Sequence, residues 1–504
     1  MNRNLFATDR RGWSVLTLLA AALFLSSGPQ AVAQDDGNNE IEEIVATGTR
    51  KEGQSPTETL SPIDVVGGES LAELAAFDMT DGFTKVSPAI NTQRFPIADG
   101  TAFIRPVSLR NLSPDQTLVL VNGTRRHRSP LVNLQLAPLG TVNQGAQAVD
   151  YSVIPAAAVK RVEVLRDGAS AQYGSDAIAG VINIILKDAS EGVSLSGQTG
   201  EYFEGDGART SVSANAGFGL GDSGFINATI EYSESETTSR GVPHFACPGV
   251  SAVVGIDVVP LDGLCQRWGD PDVETLKGFV NFGAELNENI SFFGHASVSN
   301  NDTVSDFFYR NPVLDPSAGI SGRSTLIVDT DGDFIPDPAP QSLVDNIAGQ
   351  GLNVDDYLTA DAGSPSGYVL LNPIYTQFPG GYNPDFGAGI SDGAIVLGFE
   401  GDTDNDISWS FKGRYAQAEA DYTLSETINP SLGGTSPTSF KPGKLTQEET
   451  SVNFDVVVPL TVEDFASPIN VAWGFEWRDE TYTINAGDEA SISAGPVFIF
   501  GVGS

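Results

Sequence analysis

From Glu191 onward, short segments of the chain alternate between apolar and polar residues, which is the period of a β-strand with two unlike faces. In a soluble β-sandwich the apolar face is buried, whereas in a transmembrane barrel it faces lipid and the polar face lines the lumen. Trp473, Phe475 and Trp477 share one face of one such segment, which is costly against water and favourable against lipid. We therefore favour barrel strands. The apolar face of this segment comprises Ile469, Val471, Trp473, Phe475 and Trp477, opposite Asn470, Ala472, Gly474, Glu476 and Arg478.

The same pattern predicts nine strands, and the connections between them alternate in length. Short turns facing one side and long loops facing the other are typical of outer-membrane barrels. Nine is an odd number, whereas bacterial single-chain barrels have even numbers of strands. We therefore predict that residues 189–504 form the N-terminal part of a longer barrel. The nine predicted strands are 193–203, 209–218, 224–237, 273–285, 290–303, 394–400, 407–423, 445–458 and 469–483.

Before this region the alternation is absent, which indicates a separate domain at residues 56–188. Residues 159–187 read as a strand, a turn at Asp167 and Gly168, a small-residue loop and a second, almost wholly apolar strand. Residues 118–121 predict another buried strand, and the Asn-Gly pair that follows is a tight-turn signal. These residues thus predict a separate N-terminal domain followed by antiparallel transmembrane strands.

The first 33 residues predict a secretory signal, with arginines at positions 3, 10 and 11, an apolar core and an Ala31-Val32-Ala33 cleavage site. The alternative, a membrane anchor, is disfavoured by the shortness of the apolar run. A formal net charge of -38 argues against a nucleic-acid partner. Because the chain is exported and has only Cys247 and Cys265, we predict that these two form a disulfide.

Three stretches, 108–128, 149–165 and 159–187, resemble the plug domain of TonB-dependent outer-membrane receptors. The resemblance implies a small mixed αβ plug domain at 56–188 inside a barrel of about twenty-two strands. The fold class is then a small αβ plug domain followed by antiparallel transmembrane β-barrel strands, of which this chain contains about nine. It also implies active import of a scarce ligand, a ferric siderophore by default or a carbohydrate or other bulky nutrient, across the outer membrane of a Gram-negative bacterium. The expected partners are TonB, outer-membrane lipid and that small-molecule ligand.

Residues 34–55 contain, by the same resemblance, the TonB box, which pairs edge-on with a strand of TonB. The strand-competent isoleucines and valine suit main-chain pairing, although an ordinary first strand of the plug is the alternative. The predicted box comprises Glu40, Ile41, Glu42, Glu43, Ile44 and Val45.

The most basic cluster of the chain, Arg125, Arg126, His127 and Arg128, follows the Asn-Gly turn. If the turn faces outward, these residues form a ligand-facing plug loop that meets an anionic ligand. The alternative is that they pair with acidic residues of the barrel and hold the plug in place. Other arginines of the plug are candidates for the same pairing: Arg105, Arg110, Arg161 and Arg166.

An acidic segment within the longest loop offers Asp329, Asp331, Asp333 and Asp337 as oxygen ligands, with Gly332 permitting a sharp turn. Carboxylates at this spacing suit calcium, and a solvated acidic turn is the alternative. No cofactor is otherwise expected.

No catalytic constellation stands out, because the three histidines lie in separate predicted elements. We therefore expect a protein that is not an enzyme. A passive porin or a surface adhesin is the second hypothesis, although neither requires a separate N-terminal domain.

Overall fold

The computed structural model describes residues 63–73, 76, 78–92, 100–132, 145–221, 223–314, 326–462 and 468–496. The predicted signal peptide and the predicted TonB box, Glu40–Val45, lie outside these residues. Among the described residues, no helix combines the length and the apolar character needed to cross a bilayer.

The N-terminal domain contains a five-stranded sheet in the order β1-β6-β7-β4-β5, in which β7 runs antiparallel to β6 and parallel to β4. Because β7 lies between two neighbours, nearly all of its residues are buried, as its apolar sequence predicts. The elements are β1 (Ile63–Gly67), α1 (Gly68–Glu73), α2 (Met79–Val86), β2 (Ile90–Thr92), β3 (Val107–Leu109), β4 (Thr117–Val121), β5 (Thr124–Arg125), β6 (Val159–Leu165), α3 (Ser170–Tyr173) and β7 (Gly180–Leu186).

Local sequence explains the start of α2 and the turn between β4 and β5. Asp78 caps α2, because its side chain accepts a hydrogen bond from the backbone N–H of Asp81 at 2.9 Å. Between β4 and β5 the two turn residues, Asn122 and Gly123, have φ values of 46° and 69°. Positive φ at both positions is the conformation that an Asn-Gly hairpin favours, as the sequence predicts.

The second unit of architecture is a nine-stranded antiparallel sheet, which we call the wall. Each strand pairs with the wall strands that precede and follow it in the chain. The predicted number of strands and their antiparallel arrangement are confirmed. The strands are β8 (Val193–Gly200), β9 (Arg209–Leu220), β10 (Gly224–Ser235), β11 (Asp272–Asn287), β12 (Ile290–Asp306), β13 (Asp385–Asp402), β14 (Ser408–Ser425), β15 (Phe440–Leu460) and β16 (Ile469–Ala486).

Strand β13 begins nine residues earlier than the sequence predicts, at Asp385 rather than Ala394. Its first half is rich in glycine, so no large apolar residues mark the outward face there. Pairing with β12 in unbroken register, from Asp306↔Asp385 to Ile290↔Gly401, forms the strand nonetheless. The neighbouring strand therefore decides this boundary.

The two faces of the wall differ in the way the alternation predicts. On β13 the outward-facing Ile395, Leu397 and Phe399 are 43%, 44% and 41% exposed, whereas the inward-facing Asp392 and Val396 are buried. Polar residues line the inner face of neighbouring strands as well, including Asn227, Thr229, Lys277, Ser297, Asn301, Arg414 and Glu449, all of them buried. Polar-inside and apolar-outside is the arrangement of transmembrane β-barrel strands.

The wall has two distinct ends. At the short-turn end, brief connections such as 288–289 and 403–407 join the strands; at the long-loop end, residues 236–271, 307–384 and 426–439 leave the sheet. The N-terminal domain reaches the long-loop end, where Phe103 and Leu131 pack against Ala388 and Ile390 of the wall.

The long loops contain structure that the sequence pattern did not predict. They include α4 (Cys247–Val254), α5 (Gln341–Gly349) and paired two-residue strands, Val313–Leu314 with Ile327–Val328 and Thr359–Ala360 with Tyr368–Val369. Residues 326–384 bury apolar side chains of their own, among them Leu343, Ile347 and Leu358. A further short helix, α6 (Glu489–Ile492), follows β16.

Candidate functional site between the plug domain and the wall

A buried group of charges joins the N-terminal domain to the middle of the wall. Arg126 is 4% exposed and forms an ion pair with Asp392 of β13, and it donates a second hydrogen bond to Ser297 of β12 at 2.9 Å. His127 is 2% exposed, and its Nε2 lies 2.7 Å from the other carboxylate oxygen of Asp392. One wall carboxylate thus holds two consecutive plug residues.

Burial lowers the pKa of His127, and the neighbouring Asp392 only partly opposes this effect. Burial thus favours the neutral imidazole, in which Nε2–H donates to Asp392, and among the described residues the buried Nδ1 has no hydrogen-bond partner. Arg126 then carries the positive charge that compensates Asp392. Desolvated pairs of this kind are costly to break, because the remaining charge stays buried.

A second buried carboxylate, Glu449 of β15, extends this contact along the segment. It accepts the backbone N–H of Arg128 at 2.9 Å and the guanidinium of Arg414, from β14, at 2.8 Å. Arg414 in turn donates to the backbone carbonyl of Arg125. The side chain of Arg128 also pairs with Glu480 of β16.

Arg125 completes the cluster by bridging Asp176 of the same domain and Glu476 of the wall. All four predicted residues therefore contact carboxylates of the wall: Arg125 contacts Glu476, Arg126 and His127 contact Asp392, and Arg128 contacts Glu480. This placement favours the wall-pairing alternative over the ligand-facing one, especially for the buried Arg126 and His127.

The Asn122-Gly123 turn does not face the long-loop end. The ligand-facing hypothesis required this turn to face outward, so that expectation is corrected. Asn122 donates to Asn281 at 3.0 Å, and Lys412 donates to the carbonyl of Gly123 at 3.2 Å. Both wall residues lie in the half of their strands nearer the short turns. The hairpin is thus directed toward the wall and away from the loops.

The prediction that four other arginines pair with the wall is wrong. Arg105 pairs with Asp78 and Asp81, and each remaining arginine also pairs with a carboxylate of its own domain. These short-range pairs stabilise the domain itself rather than its attachment. They are Arg110 with Asp167, Arg161 with Glu163 and Arg166 with Asp64.

A small polar cleft lies at the long-loop end, between the N-terminal domain and strands β9 to β12, with a cavity volume of ≈ 70 Å³. Local sequence patterns did not predict this cleft, because its two sides come from separate segments, within residues 78–152 and within residues 202–301. Its lining includes hydroxyl and amide groups from both sides: Thr101, Ser152, Ser233, Ser235, Thr275 and Asn301.

Residues 55–181 match the family model of the TonB-dependent Receptor Plug Domain. This match identifies the N-terminal domain as a plug domain of the TonB-dependent receptor type. The chain is 27% identical over 175 residues to the ferric enterobactin receptor of Pseudomonas aeruginosa, covering 34% of this chain and 22% of that protein. It is 26% identical over 266 residues to the vitamin B12 transporter BtuB of Vibrio cholerae, covering 52% and 36%.

Solved structures agree on the fold. The siderophore receptor PirA from Acinetobacter baumannii superposes with a TM-score of 0.52 at 16% identity, covering 87% of this chain and 50% of that one. The ferric enterobactin receptor PfeA of Pseudomonas aeruginosa in complex with enterobactin gives the same TM-score at 15% identity, covering 85% and 50%. The chain thus spans about half the length of these structures, and about a quarter to a third of the curated relatives. The N-terminal domain is the plug domain, and the wall consists of barrel strands.

Two predicted sites lie in the long loops, away from the plug. The structure joins Cys247 and Cys265 by a disulfide, with 6.0 Å between their Cα atoms. Both cysteines are buried in a small apolar cluster with Val250, Val259 and Tyr309. The bridge therefore closes part of the 236–271 loop and lies in a cluster that also includes Tyr309 of the next long loop.

We expect non-reducing mass spectrometry of the full-length protein to find the Cys247–Cys265 bridge. Replacing both cysteines by alanine should destabilise the loop by about 3 kcal/mol, because an open loop of this length gains entropy when unfolded. Hydrogen exchange over residues 244–268 should rise, with exchange in the plug as the internal control. Two free thiols in the exported wild-type protein would contradict the prediction.

The acidic segment brings three of its four predicted ligands together. Carboxylate oxygens of Asp329, Asp331 and Asp333 lie within 4.8 Å of one another, whereas Asp337 is not part of that group and accepts the backbone N–H of Thr330. Asp329 is buried and accepts two backbone N–H groups. Contact with Asp329 raises the pKa of Asp331. Calcium binding here stays a prediction.

Calorimetry of the full-length protein should show a heat of calcium binding that disappears in the Asp331→Asn, Asp333→Asn double variant, because a cation relieves the repulsion between adjacent carboxylates. Asp361→Asn, an exposed carboxylate elsewhere in the same loop, is the matched control and should retain the heat. An equal heat in the double variant, or no heat in the parent, would contradict calcium binding and support the alternative of a solvated acidic turn.

Proposed function

We propose that this chain provides the plug domain and adjoining barrel strands of an importer that carries a bulky nutrient across the outer membrane, with energy delivered through TonB. The plug gates the barrel. External loops and the upper plug surface bind the nutrient, and TonB engages the segment Glu40–Val45 from the periplasm.

The observation that carries the proposal is the way the plug is attached. Its segment 125–128 is fixed to the middle of the wall through the buried carboxylates of Asp392 and Glu449. At the long-loop end, the same domain borders the polar cleft. An anchored domain with a solvent-filled cleft on the entry side suits a gate that must move only when force is applied.

The relatives support import as the general activity, since one is a ferric enterobactin receptor and the other is a vitamin B12 transporter.

The proposal is tested by growth and uptake in the source bacterium. Deletion of the full-length gene should abolish uptake of one nutrient at scarce concentrations, and a protonophore should abolish the same uptake in the wild type. The lack of the TonB protein should have the same effect as the deletion. Uptake that persists with a collapsed proton gradient would instead indicate a passive porin.

A further inference from the structure

We propose that Phe334 is a latch that couples the second long loop, 307–384, to the first, 236–271, so that the two loops open and close together at the long-loop end of the wall. The latch is independent of import, because no part of it involves TonB or the nutrient. Its failure would leave the proposed function unaffected.

Phe334 lies where two apolar clusters meet. It is half-buried and packs against both of them, and among the residues that the structure describes no other side chain does so. Phe334 thus joins a cluster of the first loop to a cluster of the second. The first comprises Cys247, Val250, Val259 and Cys265, with Tyr309 of the second loop; the second comprises Val313, Leu326, Ile327, Ile374 and Tyr382, with Ile428 of the third loop.

The backbone of Phe334 adopts a conformation that phenylalanine rarely takes. Its φ is 67°, in the left-handed region that suits glycine or asparagine and strains a bulky residue. The buried carboxylate of Asp329 holds this conformation, since it accepts the backbone N–H of Phe334 at 2.6 Å and that of Gly332 at 2.8 Å. Packing of the aromatic ring between the two loops supplies the free energy that compensates this strain.

A second contact joins the same two loops. The backbone N–H of Tyr309 donates to the side chain of Gln266 at 3.1 Å, and the hydroxyl of Tyr309 donates to the carbonyl of Gly380 at 2.6 Å. A Cβ atom on Gly380 would lie 2.5 Å from the carbonyl oxygen of Val258. The loops therefore approach so closely here that a larger residue at position 380 would force them apart.

These two contacts determine how the loops move. Opening of the first loop breaks both of them and exposes the ring of Phe334 to water, which is unfavourable. Segments that share buried contacts open cooperatively, and their amide hydrogens exchange together. We therefore expect residues 246–266 and 329–335 to exchange as one unit, although they belong to different loops.

The experiment measures hydrogen exchange in the purified full-length receptor. Phe334→Gly removes the ring and keeps the positive φ accessible, so the turn is retained. Exchange over residues 246–266 should accelerate by about tenfold or more, since a half-buried phenylalanine contributes part of the effect of a fully buried one. Helix α5, which packs in a separate cluster, should keep its parental rate. Parental exchange in the first loop would overturn the proposal.

Two further variants separate a latch from general loosening of the turn. Ile335→Gly changes the neighbouring residue, whose side chain is 64% exposed, and should leave the first loop unchanged. Phe334→Leu retains an apolar side chain at the junction and should recover much of the lost protection. Equal acceleration in Ile335→Gly and Phe334→Gly would overturn the latch.

The second contact is tested from the other side of the junction. Gly380→Ala should accelerate exchange over residues 256–266, because its Cβ collides with the backbone at Val258. Gly349→Ala, in the same loop, is the matched control, since a Cβ there meets nothing within 4 Å. Parental exchange in Gly380→Ala would show that the two loops do not meet as proposed.

Coupling between two segments acts in both directions. The Cys247→Ala, Cys265→Ala double variant, which alters the first loop alone, should therefore also accelerate exchange over residues 329–335 of the second. This result distinguishes the latch from local unfolding caused by a substitution at position 334. Parental exchange over 329–335 in a double variant whose first loop exchanges faster would show that the loops open independently.

Discussion

Replacing Ile44 by proline should abolish energy-dependent uptake while leaving ligand binding at the cell surface unchanged. Strand addition to TonB depends on main-chain hydrogen bonds, and proline removes a donor and resists pairing in a ladder. We expect uptake to fall to the level of a strain that lacks TonB, whereas equilibrium binding of the same nutrient to whole cells stays at the parental value.

Ile44→Val is the matched control, because valine retains the N–H and the preference for strands. It should transport at nearly the parental rate. Both variants must be present in the outer membrane at equal amounts, measured by immunoblot of membrane fractions. Normal transport by the proline variant would show that residues 40–45 are not the TonB box and would favour an ordinary first strand of the plug.

Replacing Asp392 by asparagine should loosen the plug by about 3–5 kcal/mol, the usual cost of removing one partner of a buried ion pair. The change leaves the guanidinium of Arg126, which is 4% exposed, without its carboxylate. His127 loses the same acceptor. Hydrogen exchange over residues 124–129 of the full-length protein should rise, and cells should become more permeable to large antibiotics.

Two variants separate this effect from a general loss of stability. Glu419→Gln removes a partly exposed ion pair with Lys444 on a neighbouring strand, and such pairs contribute about 0–1 kcal/mol. It should leave exchange in the plug unchanged. An Arg126→Met, Asp392→Leu double variant removes both charges and should recover much of the lost protection. Parental exchange in Asp392→Asn would contradict the role of this carboxylate as an anchor.

The strands of the wall are predictable because their signal is local. Alternation in a segment such as Ile469–Ala486 specifies both the strand and the face that meets lipid, whatever its neighbours are. The plug strands β6 and β7 are equally predictable, because each contains a run of apolar residues. The Asn122-Gly123 turn follows from two residues whose backbone tolerates positive φ.

Long-range contacts are not encoded in this way. Arg126 and Asp392 are 266 residues apart, and nothing in the sequence near either residue names its partner. The sequence shows that residues 125–128 are basic. The groups that they contact depend on the direction in which the preceding hairpin points relative to the wall. For Arg105 the predicted partner was wrong. Carboxylates of its own domain lie close enough to form ion pairs with it, so it does not pair with the wall.

For this protein, the sequence alone determined the order of plug and barrel strands, the nine strands of the wall and the inward polar face, because strand periodicity and turn chemistry act over a few residues. The tertiary structure decided where β13 begins, which wall carboxylates hold the plug, and where the polar cleft lies. Each of these depends on how separate segments approach one another, and the free energy of a buried ion pair or a cleft arises only when both sides are in place.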